Sequence, residues 1–161
     1  MTNPPRDTEP ARLALVYLCP GQLFASAEPT AVTTIVSSCV AVCLLDSATG
    51  VGGVCHFQLP QWQGTGPRTP SYADVAIEEL LARMAALGAR PETIQAKLFG
   101  GACLTPHVPR RQKPLGEENV ERALEYLRAS GIAVSEEATG GWRGRTIAYH
   151  THDGHARVKV L

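Results

Sequence analysis

Two short apolar segments joined by a turn, at residues 33–60, constrain the fold of this 161-residue chain more than any other stretch. Residues 40–46 are mostly apolar and rich in valine, which favours a buried strand. Residues 47–50 have the composition of a turn, and residues 51–59 return as a second strand that stops at Pro60. The sequence therefore predicts a β-hairpin in which Asp46 pairs with Val51.

This hairpin brings a cysteine and a histidine onto one face. Pairing of Asp46 with Val51 sets Cys39 opposite Gln58 and His56 opposite Ala41, and alternate side chains of a strand share a face. Cys39 and His56 then become diagonal neighbours with backbones roughly 7–8 Å apart. A shift by one residue or a bulge at residues 52–53 would separate them.

An imidazole beside a thiol can make the thiolate that acts as a nucleophile. Cys39 and His56 are thus a candidate catalytic pair. The alternative from spacing alone is that both are ordinary strand residues, since a lone cysteine in an apolar strand is usually a small buried hydrophobe.

Short motifs run in a fixed order through residues 30–160. They are Thr33-x5-Cys39-Val40-Ala41-Val42, Gly53-x-x-His56-Phe57-x-Leu59-Pro60, Tyr72-Ala73-Asp74, Ala96-Lys97-Leu98-Phe99-Gly100-Gly101-Ala102, Leu115-Gly116-x-x-Asn119-Val120 and Gly140-Gly141-x-x-Gly144-Arg145. In this order the motifs resemble those of the chemoreceptor glutamine deamidase family, CheD, of bacterial chemotaxis. One departure is that the family typically has glycines before its Ser-Cys pair, where this chain has Thr-Ile-Val-Ser at residues 34–37.

The resemblance implies a catalytic constellation of Cys39 as nucleophile, His56 as base and Thr33 as the residue that orients the imidazole. It implies hydrolysis of glutamine side chains on chemoreceptor helices to glutamate, with release of ammonia and through a thioester. This chemistry needs neither a cofactor nor a metal. We place the donors for the oxyanion on backbone amides near Ser38 and Cys39.

The resemblance also favours a loop close to the site at Gly100 and Gly101. Paired glycines after a strand can present bare amides to a ligand, although a simple turn is the commoner explanation. We therefore assign Ser38, Gly100 and Gly101 to substrate binding.

The resemblance implies a cytoplasmic signalling protein with two kinds of partner, the helices of chemoreceptors and a CheC-type phosphatase. A second hypothesis is a non-catalytic adaptor that binds receptors or the phosphatase, with Cys39 incidental. A third is an amidase for a small molecule on the same scaffold, which predicts turnover of free amides.

Charge, hydropathy and cysteine content narrow the possible partners and the cellular compartment of the protein. The 15 basic residues balance the 15 acidic residues, so no net field attracts nucleic acid or an anionic membrane. No apolar run is long enough to insert directly into a membrane. The odd count of 5 cysteines, without a CxxC motif, argues against a disulfide framework and for a reducing cytoplasm.

The remaining pattern predicts a single α/β domain at residues 12–161, after a flexible tail at residues 1–11. Helical periodicity covers residues 72–88 and 116–130, and strands are predicted at residues 12–19, 94–99, 132–134, 145–150 and 155–161. Because both faces of residues 40–45 are apolar, we expect a layered sandwich of mixed sheets with two main helices. His150, His152 and His155 surround a turn, where an exposed polar turn is favoured over a metal site.

Overall fold

A computed structural model describes residues 13–105 and 112–161, which form two β-sheets and two α-helices. The strands are β1 (Ala14–Tyr17), β2 (Leu23–Ser26), β3 (Thr30–Val36), β4 (Val40–Asp46), β5 (Gly52–Phe57), β6 (Ile94–Gly100), β7 (Ala133–Thr139), β8 (Arg145–His150) and β9 (Ala156–Val160). The helices are α1 (Ala73–Ala86) and α2 (Leu115–Ala129). One sheet has the order β1-β3-β8-β9, and the other has the order β2-β5-β4-β6-β7.

The five-stranded sheet lies between the helices and the four-stranded sheet. Its alternation is clearest in β4, where Val42 and Leu44 belong to the core shared with α1 and α2, and Ala41 and Cys43 belong to the core shared with the other sheet. All four of these side chains are fully buried, which explains why β4 carries no polar residue before Asp46. Each sheet contains one parallel and several antiparallel pairs, so the predicted layered sandwich of mixed sheets is confirmed.

The central hairpin has the predicted register. The Asp46 N–H donates to the carbonyl of Val51 over 2.8 Å, and Ala41 pairs with His56. The β4–β5 ladder continues without a shift from one end to the other, so residues 52–53 do not form the bulge that would have turned His56 to the opposite face.

Both predicted helices are confirmed within two residues of their expected ends. The prediction was less complete for the strands. Strand β7 extends to Thr139, well past the predicted residue 134. The hairpin of β8 and β9 is confirmed and turns through residues 151–155.

The predicted tail at residues 1–11 lies outside the described residues. Within residues 13–105 and 112–161, no helix combines the length and the hydropathy needed to cross a membrane.

Candidate active site

The nucleophile segment, residues 37–39, carries the chain from β3 in one sheet to β4 in the other. Cys39 is the last residue of this connection and directly precedes β4, and it is partly exposed. Its position therefore lies at the edge of the space between the two sheets. Strand β5 places His56 beside the same edge, because His56 pairs with Ala41, two residues after Cys39.

His56 points into the core between the sheets and contacts the opposite sheet directly. Its side chain is only 1% exposed. The Nδ1 atom lies 2.8 Å from the Oγ1 atom of Thr34, which belongs to β3. The imidazole thus bridges the two sheets, and its orientation is fixed by a hydrogen bond as well as by packing.

The hydrogen bonds of Thr34 determine the tautomer of His56. The Thr34 hydroxyl donates its single hydrogen to the carbonyl oxygen of Leu18 over 2.8 Å. It can therefore only accept from His56, so the Nδ1 atom carries the hydrogen and the Nε2 atom keeps its lone pair. Nε2 has no hydrogen-bond partner among the described residues. The ring consequently presents an unprotonated, unoccupied nitrogen, which is the form that a general base requires.

The assignment of Thr33 as the orienting residue has to be corrected. Adjacent residues of a strand point to opposite faces, and the face of β3 that meets the other sheet carries Val32, Thr34 and Val36. Thr33 lies on the other face with Ile35, which is 48% exposed. The bond to His56 is therefore made by Thr34, one residue later than the sequence motif indicated.

Burial keeps both candidate catalytic groups in their neutral forms. It lowers the pKa of His56 to about 4. Burial also raises the pKa of the Cys39 thiol, although the residue's own backbone N–H and the Ser38 side chain act in the opposite direction. At neutral pH the resting pair is thus a thiol and an imidazole, and the proton has to move during the attack itself.

Gly100 and Gly101 lie directly behind the cysteine. The N–H of Gly101 donates to the carbonyl of Cys39 over 2.9 Å, so this amide supports the nucleophile segment and is not free for a ligand. At Gly100, φ is +115°, and an added Cβ atom would lie 2.2 Å from the Cys39 carbonyl oxygen. A side chain at Gly100 would therefore displace Cys39, and this explains structurally why glycine occupies the position.

Sequence reasoning assigned no firm role to Asn119, which the structure places against the nucleophile segment. Asn119 is fully buried, and its Nδ2 atom donates to the carbonyl oxygens of Ser38 over 3.0 Å and of Gln58 over 2.9 Å. The sequence did contain a pattern that indicates burial of Asn119. This residue lies four and eight residues before Ala123 and Leu127, which are both core positions of α2. A polar residue on the buried side of a helix indicates a specific hydrogen-bonding role.

The other predicted candidates take no part in this cluster. Cys43 and Cys55 are buried on opposite faces of the five-stranded sheet. The rings of His150 and His152 are stacked with centroids 5.9 Å apart. Within the described part of the chain, no group of three or more His, Cys, Asp or Glu side chains has an arrangement that could hold a metal ion.

Comparisons with known proteins show the family of this chain. The sequence model of the family described as CheD chemotactic sensory transduction matches residues 58–160. A probable chemoreceptor glutamine deamidase CheD of Trichlorobacter lovleyi is 44% identical over 138 residues, which cover 86% of this chain and 85% of the relative. The chain belongs to the CheD family. A second family member, from Anaeromyxobacter dehalogenans, is 41% identical over 148 residues, covering 92% of this chain and 85% of its own.

Among solved structures, this CheD chain is similar to protein NMB0706 of Neisseria meningitidis. The TM-score is 0.50 at 12% identity, and the alignment covers 80% of this chain and 63% of the other. At that identity the likeness concerns the fold alone.

Proposed function

We propose that this CheD protein deamidates glutamine side chains of chemoreceptors, with Cys39 as the nucleophile and His56 as the general base. The observation that carries the proposal is the bond from His56 Nδ1 to Thr34, which leaves Nε2 as a free base in a buried site. The relatives' names supply the substrate class, since they are called probable chemoreceptor glutamine deamidases.

In the first half of the reaction, the Cys39 sulfur attacks the carbon of the glutamine carboxamide while His56 Nε2 takes the thiol proton. The carbonyl π bond opens, and its electrons move to the oxygen. This oxyanion is stabilised by the backbone N–H groups of Ser38 and Cys39. When the tetrahedral intermediate collapses, the C–N bond breaks and His56 returns the proton to the leaving nitrogen, which departs as ammonia.

In the second half, His56 removes a proton from a water molecule that attacks the thioester carbon. The C–S bond breaks, the Cys39 thiol is restored, and the product is glutamate. Each event therefore replaces a neutral amide by a carboxylate. Thr34 makes no bond to the reacting atoms; it holds the tautomer through both proton transfers and stabilises the transient imidazolium.

The sequence of steps begins from a neutral thiol and a neutral imidazole. Because burial lowers the pKa of His56 to about 4, the imidazole is unprotonated throughout the physiological range. Transfer of the thiol proton to it is uphill, and the bond to Thr34 together with the oxyanion donors stabilises the charges that form. The thiol stays protonated until substrate binds, which limits reaction with other electrophiles.

Measurement of the substrate mass tests the proposal. Cytoplasmic fragments of chemoreceptors from the same organism are incubated with the wild-type protein or its Cys39→Ala variant, and their peptides are mapped by mass spectrometry. We expect glutamine-to-glutamate conversion and ammonia release with the wild type alone. If the glutamines of folded receptor stay unchanged while both proteins still bind the receptor, the protein is an adaptor and not a deamidase. Turnover of free glutamine amides would instead favour a small-molecule amidase.

We also propose that the protein acts in the cytoplasm, on the cytoplasmic helices of receptors, and that a CheC-type phosphatase binds it. Light scattering of the two purified proteins, alone and mixed, tests the second point. A mixture that shows only the two separate masses would contradict the proposed binding of the phosphatase.

A further inference from the structure

The nucleophile segment is held by an unusual set of hydrogen bonds. Each of its three carbonyl oxygens accepts from a donor outside the segment. The Ser37 carbonyl accepts from the Ala102 N–H over 2.6 Å, and the Cys39 carbonyl accepts from the Gly101 N–H. The carbonyl between them, that of Ser38, accepts from the side chain of Asn119. Asn119 thus provides the only side-chain donor in this set.

A bond to the Ser38 carbonyl also fixes the direction of the next amide. In a planar trans peptide, the C=O of one residue and the N–H of the following residue point in opposite directions. Asn119 draws the Ser38 carbonyl toward α2, so the N–H of Cys39 has to point away from α2. That N–H is one of the two donors assigned to the oxyanion.

The second bond of Asn119 ties this peptide to the strand that carries the base. Its Nδ2 atom also donates to the carbonyl of Gln58, two residues after His56. One buried amide group therefore holds the nucleophile segment and the end of β5 in a fixed relation. Close packing of α2 makes this possible, because an added Cβ at Gly116 would lie 2.5 Å from the Ala102 carbonyl oxygen.

Packing alone does not explain why a polar side chain is buried at Asn119. The Oδ1 atom is buried and has no hydrogen-bond partner among the described residues. Such an unpaired acceptor costs about 1–3 kcal/mol of stability. An apolar side chain of similar shape would remove that cost, but it would leave the Ser38 and Gln58 carbonyls without this donor, so the two donated bonds and not packing account for asparagine at this position of α2.

We propose that Asn119 is a positioning residue that orients the Cys39 N–H as an oxyanion donor through its bond to the Ser38 carbonyl. The inference rests on the proposed acyl-transfer function. It assigns to Asn119 a part in the steps that pass through a tetrahedral oxyanion, and none in the intrinsic reactivity of the thiol.

The Asn119→Leu variant tests this assignment because leucine has the same number and branching of heavy atoms as asparagine and donates no hydrogen bond. The matched control is Leu127→Ala, which damages the core at the other end of the same helix. Acylation of Cys39 by p-nitrophenyl acetate passes through an oxyanion and requires no receptor. Alkylation by iodoacetamide displaces iodide at a saturated carbon and forms no oxyanion. Cys39→Ala supplies the blank for both reagents.

We expect the acylation rate of Asn119→Leu to fall by about ten- to a hundredfold, less than or similar to the loss of an oxyanion donor, with alkylation changed by less than about twofold. With receptor fragments as substrate, kcat falls in the same proportion and KM changes little. Leu127→Ala lowers the melting temperature and leaves the ratio of acylation to alkylation at the wild-type value.

Unchanged acylation in Asn119→Leu would overturn the proposal. So would a parallel loss of acylation and alkylation, because Asn119 would then only support the fold. If this variant does not fold, Asn119→Ala provides the same test, because it removes the donor without adding volume to the buried site. Failure of the wild type on receptors, with a selective loss in the acetate assay, would reject the proposed substrate and leave the role of Asn119 intact.

Discussion

Replacement of Thr34 by valine tests the geometry of the site most sharply, because the neighbouring Thr33→Val change is a matched control. Valine keeps the branched shape of threonine and removes only the hydroxyl. At residue 34 this change deletes two bonds of 2.8 Å, one to His56 and one to Leu18. At residue 33 it alters a side chain on the outer face of β3.

The size of the effect follows from the change in charge during catalysis. A hydrogen bond between neutral groups contributes about 0.5–1.5 kcal/mol, and one to a charged group about 1.5–3 kcal/mol. The bond to Thr34 passes from the first kind to the second when His56 takes the thiol proton. The difference of about 1–2 kcal/mol corresponds to a factor of roughly 5–30 in rate.

Loss of the favoured tautomer adds to this factor, since some imidazole rings would then carry the hydrogen on Nε2. We therefore expect Thr34→Val to lower kcat by about ten- to a hundredfold and Thr33→Val by less than about twofold. Ammonia release from receptor fragments gives kcat, and thermal unfolding confirms that both variants are folded. Wild-type kcat in Thr34→Val, or an equal loss in Thr33→Val, would refute the assignment of Thr34.

Further predictions concern the pH dependence of the site and of the fold. Alkylation of Cys39 should accelerate as pH rises through a pKa above the ordinary thiol range; a plateau already below about pH 7 would instead indicate a resting ion pair. Because the pKa of His56 lies at about 4, below its unfolded value of about 6.5, its stabilising contribution of roughly 3 kcal/mol is present above pH 6.5 and is lost as pH falls toward 4. The free energy of unfolding in urea should fall with pH over this range in the wild type and should fall less in His56→Gln. An identical fall in both proteins would contradict the burial argument. Burial alone would raise the pKa of the Asp46 carboxyl group. Asp46 accepts four hydrogen bonds, however, and these hold its pKa well below the usual range. Asp46→Asn should therefore lower the free energy of unfolding at neutral pH by about 2–4 kcal/mol, and the difference from wild type should shrink below about pH 4; a difference independent of pH would argue against a charged group.

The sequence was sufficient for the parts of the fold that rest on local patterns. The β4–β5 hairpin could be placed in register because an apolar strand, a short turn and a terminal proline leave few alternatives. The pairing of Ala41 with His56 followed directly.

The contacts between layers could not be derived in the same way. Thr33 and Thr34 are identical side chains on one strand, and alternation shows only that they face opposite sides. Deciding which one meets His56 requires knowing which face of β3 is covered, and that depends on the packing of the second sheet. The role of Asn119 likewise depends on a helix that begins more than seventy residues after the nucleophile.

The most direct measurement of the central claim is isotope incorporation at the target glutamine. Receptor fragments are incubated with the enzyme in water enriched in oxygen-18, and the modified peptides are sequenced by mass spectrometry, while acid quenching traps any thioester on Cys39. Thioester hydrolysis predicts one heavy oxygen in each new glutamate, an acylated Cys39 peptide in the quenched enzyme, and neither product with Cys39→Ala. Formation of labelled glutamate by the Cys39→Ala variant at the wild-type rate would contradict the account, because the amide would then be hydrolysed without the cysteine.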